Sequence, residues 1–225
     1  MFWKRSLSLL GTTLVASTLM VASLPRSTNA QGILPPFRFG GQPIRELPLG
    51  MDRGYKSARS ARYYFKIPAP EIPMSRFIIT EVTDNFVQKG GRWKLNELEL
   101  RQCSKLGNAL SRPTCEGTIP LQQVTFCSSN GCEVYDAVNG TSTLDPEPYD
   151  GLPYLEVTPV EMVPAGTNLS IVLSDVINPR SSVSYQFNLA IETPPGVRNR
   201  CQVITTVGNC ALGTWIATIS NSRNE

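Results

Sequence analysis

The chain reads as an all-β protein, an antiparallel immunoglobulin-like β-sandwich carrying a disulfide-stapled insertion. A signal peptide and a Pro/Gly-rich linker precede it. Three observations predict this. Residues 164–193 hold two runs of period-two alternation about a turn; short apolar runs recur between turn signals every 8–12 residues; and six cysteines follow an export-type N-terminus.

The alternation is clearest in Leu169, Ile171 and Leu173 against Asn168, Ser170 and Ser174. It continues in Tyr185, Phe187, Leu189 and Ile191 against Ser184, Gln186, Asn188 and Ala190. Such a period puts one face of each strand on a core, whereas a helix would need 3.6 residues. Asn178-Pro179-Arg180-Ser181-Ser182 separates the runs, because proline removes a ladder donor and Asn-Pro initiates turns.

At the N-terminus, Lys4 and Arg5 precede the uncharged stretch Leu7 to Leu24, and Thr28-Asn29-Ala30 offers small residues for cleavage before Gln31. Residues 1–30 therefore read as a signal peptide, and no transmembrane span is expected after its removal. Lys4, Arg5 and Arg26 are the only charges in that segment, so residues 31–225 carry 18 basic and 18 acidic side chains. Within that balance lies an asymmetry. Residues 31–66 hold Arg38, Arg45, Arg53, Lys56, Arg59, Arg62 and Lys66 against Glu46 and Asp52, and the remainder is correspondingly acidic. A basic arm of this kind suits an anionic polymer or lipid headgroups. Nucleic acid is not expected for an exported chain without a clustered basic face.

Residues 31–60 read as an extended basic linker, being punctuated by Pro35-Pro36, Pro43, Pro48, Gly40-Gly41, Gly50 and Gly54. The sandwich domain is placed at 61–225. Tyr63, Phe65 and Ile67 alternate in a first strand, expected at an edge because prolines follow it. Arg76 to Thr83 is a second strand. Trp93 to Arg101 is a third candidate, with Leu98 and Leu100 in phase but good helix formers throughout. Residues 103–150 form the cysteine-bearing insertion. Strand character resumes over Leu152–Met162 and again over Cys201–Val207 and Gly213–Ile219.

For the cysteines, local closure is expected: Cys103 with Cys115, Cys127 with Cys132 around Ser128-Ser129-Asn130-Gly131, and Cys201 with Cys210. Asn-Gly favours a tight hairpin that brings Cys127 and Cys132 face to face. Zinc is the competing use, but Cys127 and Cys132 form a single C-x4-C pair with no second pair to complete a four-ligand site, and there is no histidine.

The order of Tyr63-Tyr64-Phe65, Val163-Pro164-Ala165-Gly166-Thr167, Asn178-Pro179, Tyr185-Gln186-Phe187, Thr193-Pro194-Pro195-Gly196 and Leu212-Gly213-Thr214-Trp215 resembles a family of small secreted cyanobacterial proteins catalogued as a domain of unknown function. The resemblance covers residues 61–102 and 152–220. Residues 103–150 and the loop from Cys201 to Cys210 depart from it. It implies a cyanobacterial, exported β domain and brings no activity, cofactor or catalytic residues.

Without histidine the chain has no Ser-His-Asp or Cys-His pair. Serine-lysine chemistry would need an S-x-x-K run, which is missing. Paired carboxylates remain for sugar hydrolysis, with Glu97 and Glu99 sharing a face if their segment is a strand. Asp145, Glu147 and Asp150 form an acidic loop with oxygen-ligand character for a hard cation, though without the calcium-loop pattern. Tyr149 and Tyr154 beside it are candidates for stacking on a sugar. No catalytic residue, resident metal or cofactor is expected. The sequence predicts a non-catalytic protein of the cell envelope or periplasm, or a secreted one, that binds surface polysaccharide or envelope proteins. A carboxylate-based glycan hydrolase and a strand-exchanging assembly subunit are the alternatives.

Overall fold

The computed structural model describes residues 38–39, 42–43, 45–82, 86–108, 111–194, 196–197 and 209–221. The expected signal peptide and the run Cys201–Val207 lie outside the described residues. The chain divides into two units, Met1–Gly32, none of it described, and Ile33–Glu225, which holds every described element.

The described residues hold fourteen strands in order: β1 (Arg38–Phe39), β2 (Gln42–Pro43), β3 (Leu49–Asp52), β4 (Ala61–Ile67), β5 (Arg76–Glu81), β6 (Leu98–Lys105), β7 (Thr114–Ile119), β8 (Leu121–Ser128), β9 (Gly131–Asp136), β10 (Thr141–Asp145), β11 (Tyr154–Pro159), β12 (Leu169–Val176), β13 (Ser184–Glu192) and β14 (Cys210–Thr218). Among the described residues β1 and β2 pair only with each other. The rest form two antiparallel sheets, one ordered β10-β9-β8-β11-β5-β13-β14 and the other β3-β4-β12-β6-β7. Pairings nest in sequence: β11 returns beside β5, and β12 returns beside β4.

The alternation read from the sequence is the alternation of the core. Leu169, Ile171 and Leu173 of β12 and Tyr185, Phe187, Leu189 and Ile191 of β13 are all buried in one cluster. Aromatic rings knit the sheets together. Phe65 of β4 lies 5.0 Å from Trp215 and 5.6 Å from Phe187, both edge-on, the geometry that ring quadrupoles favour. The Trp215 indole also donates to the Lys66 carbonyl at 3.1 Å, which ties β14 to the opposite sheet.

Four expectations change. β4 is not an edge strand: β3 covers one side and β12 the other. Residues 45–60, read as linker, are part of the sandwich, for Leu47, Leu49 and Ala58 are buried and β3 extends the five-stranded sheet. Trp93–Arg101 is not one continuous strand; a 3-10 turn over Leu95–Glu97 leads into β6, with Leu98 and Leu100 buried in phase as expected. Residues 103–150 are built into both sheets, β7 widening the smaller and β8 to β10 the larger. Their hairpins are stapled by Cys103–Cys115 and Cys127–Cys132. Cys210 is disulfide-bonded as well, and its expected partner Cys201 lies outside the described residues.

Candidate functional site

The acidic residues singled out in the sequence are placed by local turns. Glu97 sits on the 3-10 turn and Glu99 on β6, so they do not share a strand face, and Arg101 pairs with Glu99. In the acidic loop, Asp145 Oδ1 accepts the Glu147 N–H at 3.1 Å, the arrangement of an Asx turn. No group of three acids or cysteines suited to a metal ion occurs among the described residues. Tyr149 and Tyr154 do meet, with ring centroids 5.2 Å apart, but they stand edge to face at 72° and present no shared flat surface to a sugar. The Tyr149 ring closes over Gly151, where an added Cβ would fall 2.4 Å from the phenolic oxygen. The Tyr154 hydroxyl lies 3.2 Å from the Cys127 sulfur. Burial pushes its ionisation up, and Glu156 adds to that.

Glu156 lies further along the same outward face of β11, between Arg76 and partial burial. Arg76 reaches Glu156 at 3.4 Å and Glu192 at 3.2 Å. Burial raises the Glu156 carboxyl above its usual range; Arg76 opposes the shift and Glu192 adds to it. Every charge in this strip has a partner.

The opposite holds at one end of the sandwich. Ile177 and Arg92 exchange backbone hydrogen bonds at 3.0 Å, Arg180 N–H donates to Lys89, Asn178 N–H donates to Ala58, and Ser57 N–H donates to Pro179. Segment 177–180 is thereby clamped between the loop 53–60 and the turn 86–92. Asn178 is the hub: its side chain donates to the carbonyls of Arg53 and Tyr55 at 2.8 Å each and accepts the Tyr63 hydroxyl at 2.7 Å. The loop it holds carries left-handed backbone at Arg53, Ser57 and Ser60. For side-chain-bearing residues this conformation costs free energy and persists where the surroundings enforce it.

This scaffold brings Arg53, Lys56, Arg59, Lys89, Arg92 and Arg180 to one end. All are exposed except the half-buried Lys89. None has a carboxylate within ion-pair distance among the described residues, where ion pairs involve only Arg76, Lys94, Arg101 and Arg112. Nearby acids are already engaged: Asp175 by Lys94, which holds its carboxyl below the usual range, and Asp52 by Arg112 at 2.8 Å. Half of this cluster lay within the basic stretch read from the sequence. Lys89, Arg92 and Arg180 join it only through tertiary hydrogen bonds, which no local signal announces.

Compared with protein-family models and with curated proteins, the sequence has no match.

Proposed function

We propose that the protein is an exported, non-catalytic β-sandwich domain that holds acidic surface polymer at its basic end. One observation carries the reading: six cationic side chains on backbone-clamped segments, without carboxylate partners among the described residues. Unneutralised charge on fixed loops supports attraction of a polyanion, and ordering of the loops lowers the entropy lost on binding. The two stapled hairpins support passage to an oxidising compartment, and no helix among the described residues is long and apolar enough to cross a membrane. A cleaved signal peptide at 1–30, location in the periplasm, envelope or extracellular matrix, and kinship with the secreted cyanobacterial family belong to the same proposal. So does immunoglobulin-like connectivity, for which the two antiparallel sheets over a shared core speak.

Retention on immobilised polygalacturonate, a polymer of carboxylated sugars, tests the reading. Retention should fall steeply between low and high salt and be lost in the variant Arg53→Glu/Lys56→Glu/Arg59→Glu. Equal retention of variant and parent would overturn it.

A further inference from the structure

The larger sheet ends, on the side away from β14, in a ribbon of opposite character. From Pro113 to Pro179 the chain has nine acidic side chains and no lysine or arginine. Several lie on or beside β9 and β10: Glu133, Asp136, Asp145, Glu147 and Asp150. The β9–β10 register sets Glu133 opposite Leu144 on one face, and Asp136 opposite Thr141 on the other. Asp136 is held ionised, below its usual range, by the side chain and backbone of Asn139 and by the Val138 N–H.

Two further features mark this ribbon. β10 is the last strand of its sheet, all five of its residues are exposed, and nothing among the described residues pairs with its outer side. An edge strand left open presents a row of backbone carbonyls and N–H groups. The ribbon also carries the two most exposed large apolar side chains among the described residues, Leu144 at 69% and Val138 at 67%. The far edge is treated differently. β14 is bridged by Glu46 at Thr214, and Tyr55 bridges Ser220 just past its end, which brings in the basic loop 53–60. Six strand spacings separate the two edges, about 29 Å at ~4.8 Å each.

We infer that the acidic ribbon β9–β10 docks the basic end of a second copy of this chain, head to tail. Carboxylates and open strand carbonyls together form a surface for guanidinium and ammonium groups, and arginine pairs well with both. Pairing β10 with its own twofold mate would instead bring two acidic ribbons side by side, which like-charge repulsion opposes. A contact between two different surfaces of one molecule is heterologous, so each docked copy leaves a further basic end and ribbon to extend the assembly as a ring or a filament. The inference shares the basic end with the polymer reading and rests on that end being free, so soluble polyanion competes with self-association.

Sedimentation velocity of the purified protein tests it. At low ionic strength the weight-average sedimentation coefficient should rise with concentration, and it should return to the monomer value in about 0.5 M salt, where charges are screened within ~4 Å. Arg53→Glu/Arg59→Glu alone and Glu133→Lys/Glu147→Lys alone should each associate at least tenfold more weakly. Their equimolar mixture should recover association, with circular dichroism showing each variant folded. A parent that stays monomeric at low salt overturns the inference, as does association untouched by either pair of substitutions. The ribbon variant keeps the basic end, so it should still be retained on polygalacturonate; this separates failure of the assembly from failure of polymer binding.

Discussion

Asn178 illustrates how a single side chain fixes the end of the molecule where the charge collects. It is buried, and its amide satisfies two carbonyls of the loop 53–60 and the Tyr63 hydroxyl at once. Asn178→Ala strands those groups, and an unsatisfied buried partner typically costs ~1–3 kcal/mol. Urea unfolding should therefore show a loss of about 2–4 kcal/mol for the set, and limited proteolysis should find new cleavage between residues 53 and 60. Lys66 is the other telling residue. It is fully buried; its ammonium donates to the carbonyls of Asn108 and Ser111, the latter at 2.6 Å, and no carboxylate among the described residues pairs with it. Burial lowers its ionisation from the usual 10.5. Between that lowered value and 10.5 the unfolded chain binds more protons than the folded one, so this group makes stability rise with pH across the window. Comparison of unfolding free energies over that window should show the contribution vanish in Lys66→Met, and an unchanged slope would contradict the burial of the charge.

At the scale of elements, the sequence was most legible where the apolar pattern was one-sided, even in strands buried on both faces. β12 and β13 show it, their inner faces alternating with polar residues and their turn marked by Asn178-Pro179. It was least legible where a strand's neighbour is chosen by tertiary packing. Leu49-Gly50-Met51-Asp52 is short and flanked by Pro48 and Gly54, so nothing local reveals that it shields β4. In β11 the inward alternation runs through Leu155, Val157 and Pro159, all buried, so Val160, just past the strand, falls on the outward parity and is exposed. The strap 45–47 has a comparable tertiary cause. It crosses β14 at Gly213, where an added Cβ would meet the Arg45 carbonyl and the Leu47 side chain at 2.6 Å. Overpacking of this kind costs ~1–3 kcal/mol. Gly213→Ala should lower the urea midpoint accordingly and speed proteolysis near Arg45, while Gly140→Ser, in open space at a positive φ, should leave the strap protected. Local turns likewise set where the acidic residues stand: Glu97 lies on a 3-10 turn ahead of Glu99 on β6, and Asp145 closes an Asx turn onto Glu147.

The whole molecule is electrically divided although its residues 31–225 balance in formal charge. Pairing surface charges with one another would contribute little to stability for each pair. Here the cations of one end and the acids of the far ribbon are left available, which makes ionic strength the controlling variable for whatever the protein holds. Retention on polygalacturonate as a function of salt is therefore the most direct measurement. The account predicts tight retention at about 50 mM salt, a fall of at least tenfold by about 300 mM as the charges are screened, and none at either salt for Arg53→Glu/Lys56→Glu/Arg59→Glu. Retention independent of salt, or unchanged in that variant, would contradict it.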